Sequence, residues 1–140
     1  MVNISELQTI NRGSYVYSDI PANFAKSSIS NDLGASYDVR AVQESIVGIV
    51  TTPKGSMPFD PEFGCDVNNQ LFENVSVVTA YAIQNSIREA VALYEPRVVV
   101  AEVAVNPDYD NNAYEVSIHY TLVTDYTTGY TTNFALRGGE

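Results

Sequence analysis

The chain has 140 residues, 45% of them hydrophobic and 17% charged, which is ordinary usage for one globular domain and not the signature of disorder. Acidic residues number 17 against 7 basic ones, a formal charge of −10, so nucleic-acid backbones and anionic membranes are repelled and neither is expected as a partner. No run approaches the roughly 20 apolar residues of a membrane span, the first residues lack a signal-peptide pattern, and the lone Cys65 excludes an internal disulfide or a multi-cysteine zinc site.

Residues 1–36 hold scattered apolar side chains with no lasting period of two or 3.6, and read as an irregular N-terminal arm. Tyr15, Tyr17, Ile20 and Phe24 give this arm enough apolar mass to dock on a body but not to form one. Residues 37–140 read as a single domain.

From Asp38 to Val50, Val39, Val42, Ile46, Ile49 and Val50 recur at steps of three and four, which predicts a helix with one apolar stripe. It ends by Thr51, because Pro53 disfavours helical geometry at Thr52 and Gly55 follows. Two prolines and two glycines between Gly55 and Gly64 then argue against regular structure. Asp66 is positioned to cap a short helical turn that carries Val67, Leu71 and Phe72 on one face.

Ser76 is the expected N-cap of the longest helix, in which Ala80, Ile83, Ile87, Ala90, Val91 and Tyr94 form the stripe. Pro96 stops it by pushing Glu95 out of helical geometry. Beyond Pro96 the period becomes two: Val99, Ala101, Val103 and Val105 are assigned to one face of a strand, Val100 and Glu102 to the other. Asn106 to Asn112 read as a hairpin loop. A second strand places Tyr114, Val116, Ile118, Tyr120 and Leu122 inward and Glu115, Ser117, His119 and Thr121 outward. A third follows Gly129 with Tyr130, Thr132, Phe134 and Leu136 alternating. The fold class is therefore α+β, two or more helices packed on a small antiparallel three-stranded sheet.

Little in this sequence points to chemistry. The single histidine, His119, faces outward from a strand, and no catalytic partner is evident beside it. One Cys, one His and no HExxH or CxxC motif offer no transition-metal site, and the nucleotide-binding and nucleophile-elbow motifs are absent; no cofactor and no metal are expected. Asp60 and Glu62, set among Phe59, Phe63 and two prolines that could desolvate a carboxyl, are the natural pair for glycoside hydrolysis. Acidic residues bounding prolines are more often turn formers, so no catalytic residue is assigned. Glu95-Pro96-Arg97 is more informative: opposite charges flank a rigid proline where helix becomes sheet, and both side chains are expected to project from that base, with the Arg97 fork suited to a carboxylate or backbone carbonyls. On this reading the pair contributes little to the fold itself.

The runs from Lys54 to Asp66 (KGSMPFDPEFGCD), from Gln70 to Asn74 (QLFEN) and from Tyr94 to Arg97 (YEPR), in that order and spacing, resemble the baseplate wedge and sheath-initiator family of contractile-tailed phages. That lysozyme-like baseplate family includes the corresponding subunit of type VI secretion machines. The similarity extends upstream through Tyr17 to Ile20 and Ser45 to Thr52, and downstream into the Tyr114 to Val123 strand; it departs at Met57, where a basic residue is common, and in a longer N-terminal lead. The resemblance implies a non-enzymatic structural subunit, present in several copies in the virion tail baseplate after assembly in the host cytoplasm. It implies that Glu95, Pro96 and Arg97 form the partner-binding core for other baseplate wedge proteins. It also implies a sheet like the part of the sheath protein that exchanges strands, and the open edge of the meander is expected to accept a strand from the tail sheath protein. Some relatives have been described as tail lysozymes, which makes a peptidoglycan-degrading enzyme the alternative.

Overall fold

The computed structural model describes residues 18–19 and 36–138. The chain forms two compact units, residues 1–41 and 42–140. In the first, β1 (Ser18–Asp19) pairs antiparallel with β2 (Ser36–Tyr37). The rest of the arm, with Tyr15, Tyr17, Ile20 and Phe24, lies outside the described residues.

Helix α1 spans Asp38–Thr51 and buries Val42, Ile46, Ile49 and Val50 of the predicted stripe together with Ala41, whereas Val39 is only half-buried. It stops where expected: the amide and the hydroxyl of Thr52 both donate to the Gly48 carbonyl, and Pro53 follows. In the second unit come α2 (Val67–Leu71), α3 (Val77–Tyr94), β3 (Val98–Asp108), β4 (Ala113–Leu122) and β5 (Asp125–Arg137), the three strands forming an antiparallel sheet in the order β3-β4-β5. Helices with a three-stranded meander are the α+β class read from the sequence.

Two local expectations fail in α2. Phe72 is 75% exposed while Val67 and Leu71 are buried, because the helix ends at Leu71 and Phe72 lies beyond its inner face. The Asp66 side chain makes no cap hydrogen bond and accepts instead from the Asn69 side-chain amide. In α3 the cap is as predicted: the Ser76 hydroxyl accepts from the Thr79 amide at 3.1 Å. The Ser76 amide in turn donates to the Tyr114 hydroxyl at 3.2 Å, tying the start of α3 to β4. The inner face of α3 buries Ala80, Ile83, Ile87, Ala90 and Val91.

The sheet follows the alternation of β4 at every predicted position, with Tyr114, Val116, Ile118, Tyr120 and Leu122 buried. Strand β3 departs from it. The register runs Val100 to Tyr120 and then Glu102 to His119, so Ala101 is an extra residue in a bulge. A one-residue insertion reverses the faces: Val98 is buried and Val99 exposed before it, Val103 buried after it. The single face proposed for Val99, Ala101, Val103 and Val105 is thus split, Val99 and Ala101 being exposed. The predicted loop is also shorter, since Asn106, Pro107 and Asp108 still pair with β4, and Pro107 is tolerated because β3 is an edge strand. Asp108 accepts from the amides of Asp110 and Asn111, and Asn112 takes a positive φ of 48° to close the turn. Strand β5 starts at Asp125, earlier than read, and residues 126–128 fall in a register shift before regular pairing resumes at Gly129.

Candidate interaction site

The end of α3 carries two irregular segments. The first is the corner at Pro96. Glu95 leaves helical geometry at φ −120° and ψ 79°, the effect a following proline has on its neighbour. Its side chain turns inward and is 2% exposed. Arg97 lies across it as a fork: Nε donates to Oε1 and Nη2 to Oε2, each at 2.6 Å, while the Arg97 amide donates to Oε1 at 3.3 Å. The Arg97 side chain keeps 23% exposure. Burial pushes the Glu95 carboxyl up, but hydrogen bonds from Arg97 and from the Ser45 hydroxyl of α1, with the Arg97 charge, outweigh it and hold the group below its ordinary value.

The expectation that both charges project outward therefore fails for Glu95, and Arg97 folds back over it while staying partly exposed. Glu95 is a buried anion, and a buried pair cannot be energetically idle in the fold. What the sequence could not reveal is Ser45, fifty positions upstream; its place on the inner half of the α1 stripe was the only available signal.

The second segment is the loop from Lys54 to Asp66. Pro53 bridges Cys65 in parallel, the Cys65 amide donates to the Thr52 carbonyl at 2.9 Å, and the Gly55 amide donates to the Pro61 carbonyl at 2.8 Å. Gly64 adopts φ +109°, and a Cβ there would sit 2.3 Å from the Thr52 carbonyl oxygen, so only glycine fits. The Phe63 ring packs on Tyr94 of α3 with centroids 4.9 Å apart, and the Tyr94 hydroxyl donates to the Glu62 carbonyl. Cys65 is buried, and burial raises its thiol pKa, which keeps it protonated and inert.

Asp60 and Glu62, the weighed hydrolytic pair, are exposed, and the flanking Phe59 is itself fully exposed at 101%. The desolvation such a pair needs is missing, because Phe63 turns to Tyr94 and Phe59 to solvent. A cleft of about 260 Å³ between the loop and α3 is lined by Lys54, Gly64, Asp66, Ser86, Glu89 and Tyr94 among others, with neither Asp60 nor Glu62 in its wall. His119 lies on the outer face with Nδ1 2.7 Å from the Thr131 hydroxyl.

The chain is thus an α+β protein with helices on a small open meander and a buried carboxylate–arginine pair at its helix-to-strand corner. The fold is shared with subunits of contractile baseplates: it matches a chain of the anti-feeding prophage baseplate (TM-score 0.59, 17% identity, 89% of this chain and 87% of that one). It also matches a chain of the type VI secretion baseplate complex (TM-score 0.56, 15% identity, 69% and 91%). The sequence model described as Baseplate wedge protein gp25 matches residues 36–127, and the chain belongs to that family. It is 41% identical over 123 residues to baseplate wedge protein gp25 of Enterobacteria phage T4, covering 88% of this chain and 86% of that protein. A further structural relative is a Geobacter sulfurreducens protein described as a candidate tail lysozyme (TM-score 0.63, 26% identity, 71% and 89%).

Proposed function

We propose that this chain is a non-enzymatic structural subunit of a contractile-tail baseplate wedge, present in several copies in the virion tail. It binds larger wedge proteins through Glu95, Pro96 and Arg97, and its sheet receives a strand of the tail sheath protein, so that sheath polymerisation starts on it. The observation that carries the docking reading is the Arg97 guanidinium, held by a buried Glu95 on a proline-fixed corner and still partly exposed. A pre-positioned guanidinium loses little entropy when a partner carboxylate or carbonyl engages it.

The test is Arg97→Lys, which keeps a cation against Glu95 but removes the planar fork. The purified variant should stay folded with a lowered melt, because a lysine cannot make both fork hydrogen bonds to Glu95. Its incorporation into wedges assembled from the other baseplate proteins should fall even well below that melting temperature. Normal incorporation would return Glu95-Pro96-Arg97 to being a helix stop.

For the sheath strand the two edges differ. Strand β3 is blunted by Pro107, Glu102 and its bulge, whereas β5 pairs without interruption from Gly129 to Arg137 and carries neither proline nor acidic residue in that stretch. Among the described residues no strand lies outside β5, so this edge is the acceptor. Outward amides of residues 129–137 should exchange quickly in the isolated protein and slowly in sheathed tails; equal rates would sink the strand-addition idea.

A peptidoglycan hydrolase is the reading suggested by the Geobacter relative. The exposed Asp60 and Glu62 argue against it. Turbidity clearing of cell-wall substrate that collapses in Asp60→Asn or Glu62→Gln would overturn the structural assignment.

A further inference from the structure

The Lys54 to Asp66 loop spends a glycine-only backbone, a parallel bridge, a cross-loop hydrogen bond and an aromatic anchor on Tyr94 to hold Phe59 fully in solvent and Met57 45% exposed. A loop that served only to connect α1 to α2 would turn Phe59 inward, since burying a phenylalanine is among the larger gains open to a side chain. A rigid segment that projects a large apolar group is instead the form of an interface anchor, which fills a desolvated pocket on a partner and loses little entropy in doing so.

We infer that Phe59 is a docking knob that inserts into an apolar pocket with a basic rim on a neighbouring wedge protein. The inference rests on the baseplate reading above and adds a second contact to it. Two observations fix the partner's chemistry. Asp60 and Glu62 follow Phe59 in the loop as exposed carboxylates, so cations around the pocket complete the contact and like charges are excluded. The chain carries a formal charge of −10, which sets a second copy of itself against that requirement. The knob is also continuous with the proposed docking corner, because Tyr94, which anchors the loop, directly precedes Glu95.

The experiment uses the full chain and the purified wedge proteins of the same tail. Phe59→Ser should melt like wild type, because the side chain is fully exposed, yet bind wedges about 10- to 100-fold more weakly, the loss typical of a central aromatic anchor. A photoreactive phenylalanine analogue at position 59 should crosslink to a wedge protein at a site bordered by Lys or Arg. If wild type and Phe59→Ser assemble equally, the knob is wrong while the baseplate reading survives. If wild type itself fails to join the wedges, both fall. A crosslink to a second copy of the chain, or to none of the wedge proteins, would also overturn the inference.

Discussion

The corner at Glu95 and the loop at Phe59 sit against the same end of α3 and invert the usual rule of burial in opposite ways. One takes an ionised carboxylate out of water; the other holds a phenylalanine in it. Each is costly for a free chain, and each is built on rigid backbone, a proline in one case and Gly64 in the other. The inversions are not equivalent for stability. The buried charge depends on its partners within the chain, so its removal must be felt by the fold, whereas the ring of Phe59 is fully exposed. Two departures from local consistency next to one helix end are what the two docking proposals rest on.

The largest effect should come from separating the corner's charges. Arg97→Ala strands Glu95, and breaking a buried pair typically costs about 3–5 kcal/mol. The pH dependence gives a cleaner signature. In the wild type the folded pKa of Glu95 lies below its ordinary 4.5, so its contribution is present above that value and lost as pH falls through the folded pKa. Without Arg97, burial becomes the dominant influence and raises the folded pKa. The sign reverses: the variant's contribution is retained at low pH and lost as pH rises. Melting curves of both proteins from about pH 4 to pH 7 should therefore converge on acidification; a constant gap would mean that Glu95 is not a buried anion.

This difference between the two regions was only partly legible in the sequence. The stripe of α3 and the alternation of β4 could be read because each is a local period carried by residues of one character. The strand β3 could not, because Val98 to Val105 is apolar at nearly every position and fits either face, so the bulge at Ala101 left no trace in the pattern. Likewise Glu95 and Arg97 were visible as charges beside a proline, but the inward turn of Glu95, where Ser45 of α1 also hydrogen-bonds it, was not. In the loop, prolines and glycines announced irregular backbone; the inward aim of Phe63 rests on Tyr94, a contact distant in sequence that no local pattern shows.

The loop's framework should come next in magnitude. Gly64→Ala forces a side chain into φ +109° and onto the Thr52 carbonyl, costing about 1–3 kcal/mol for the backbone alone, with the clash in addition. Cys65, 1% exposed, reports on it directly: its thiol should become reactive toward a disulfide reagent in the variant while remaining protected in the wild type. A protected thiol with an unchanged melt would show that the loop can close without a positive φ, and the argument for a pre-built knob would lose its base.

The smallest effect tests whether loop and corner are independent. Tyr94→Phe keeps the ring against Phe63 and removes only the hydroxyl that donates to Glu62. Hydrogen bonds of this kind contribute about 0.5–1.5 kcal/mol, and this one is solvent-exposed, so the global melt should move by about 0.5 kcal/mol, the low end of that range. Cys65 reactivity should rise less than in Gly64→Ala, because the parallel bridge between Pro53 and Cys65 remains. The pH profile of melting should not change, since Glu95 keeps both Arg97 and Ser45. If Tyr94→Phe instead reproduced the acid convergence of Arg97→Ala, the hydroxyl would be supporting the buried pair through the last turn of α3. Loop and corner would then be one cooperative unit, and a partner that grips Phe59 would be expected to stiffen Arg97 as well.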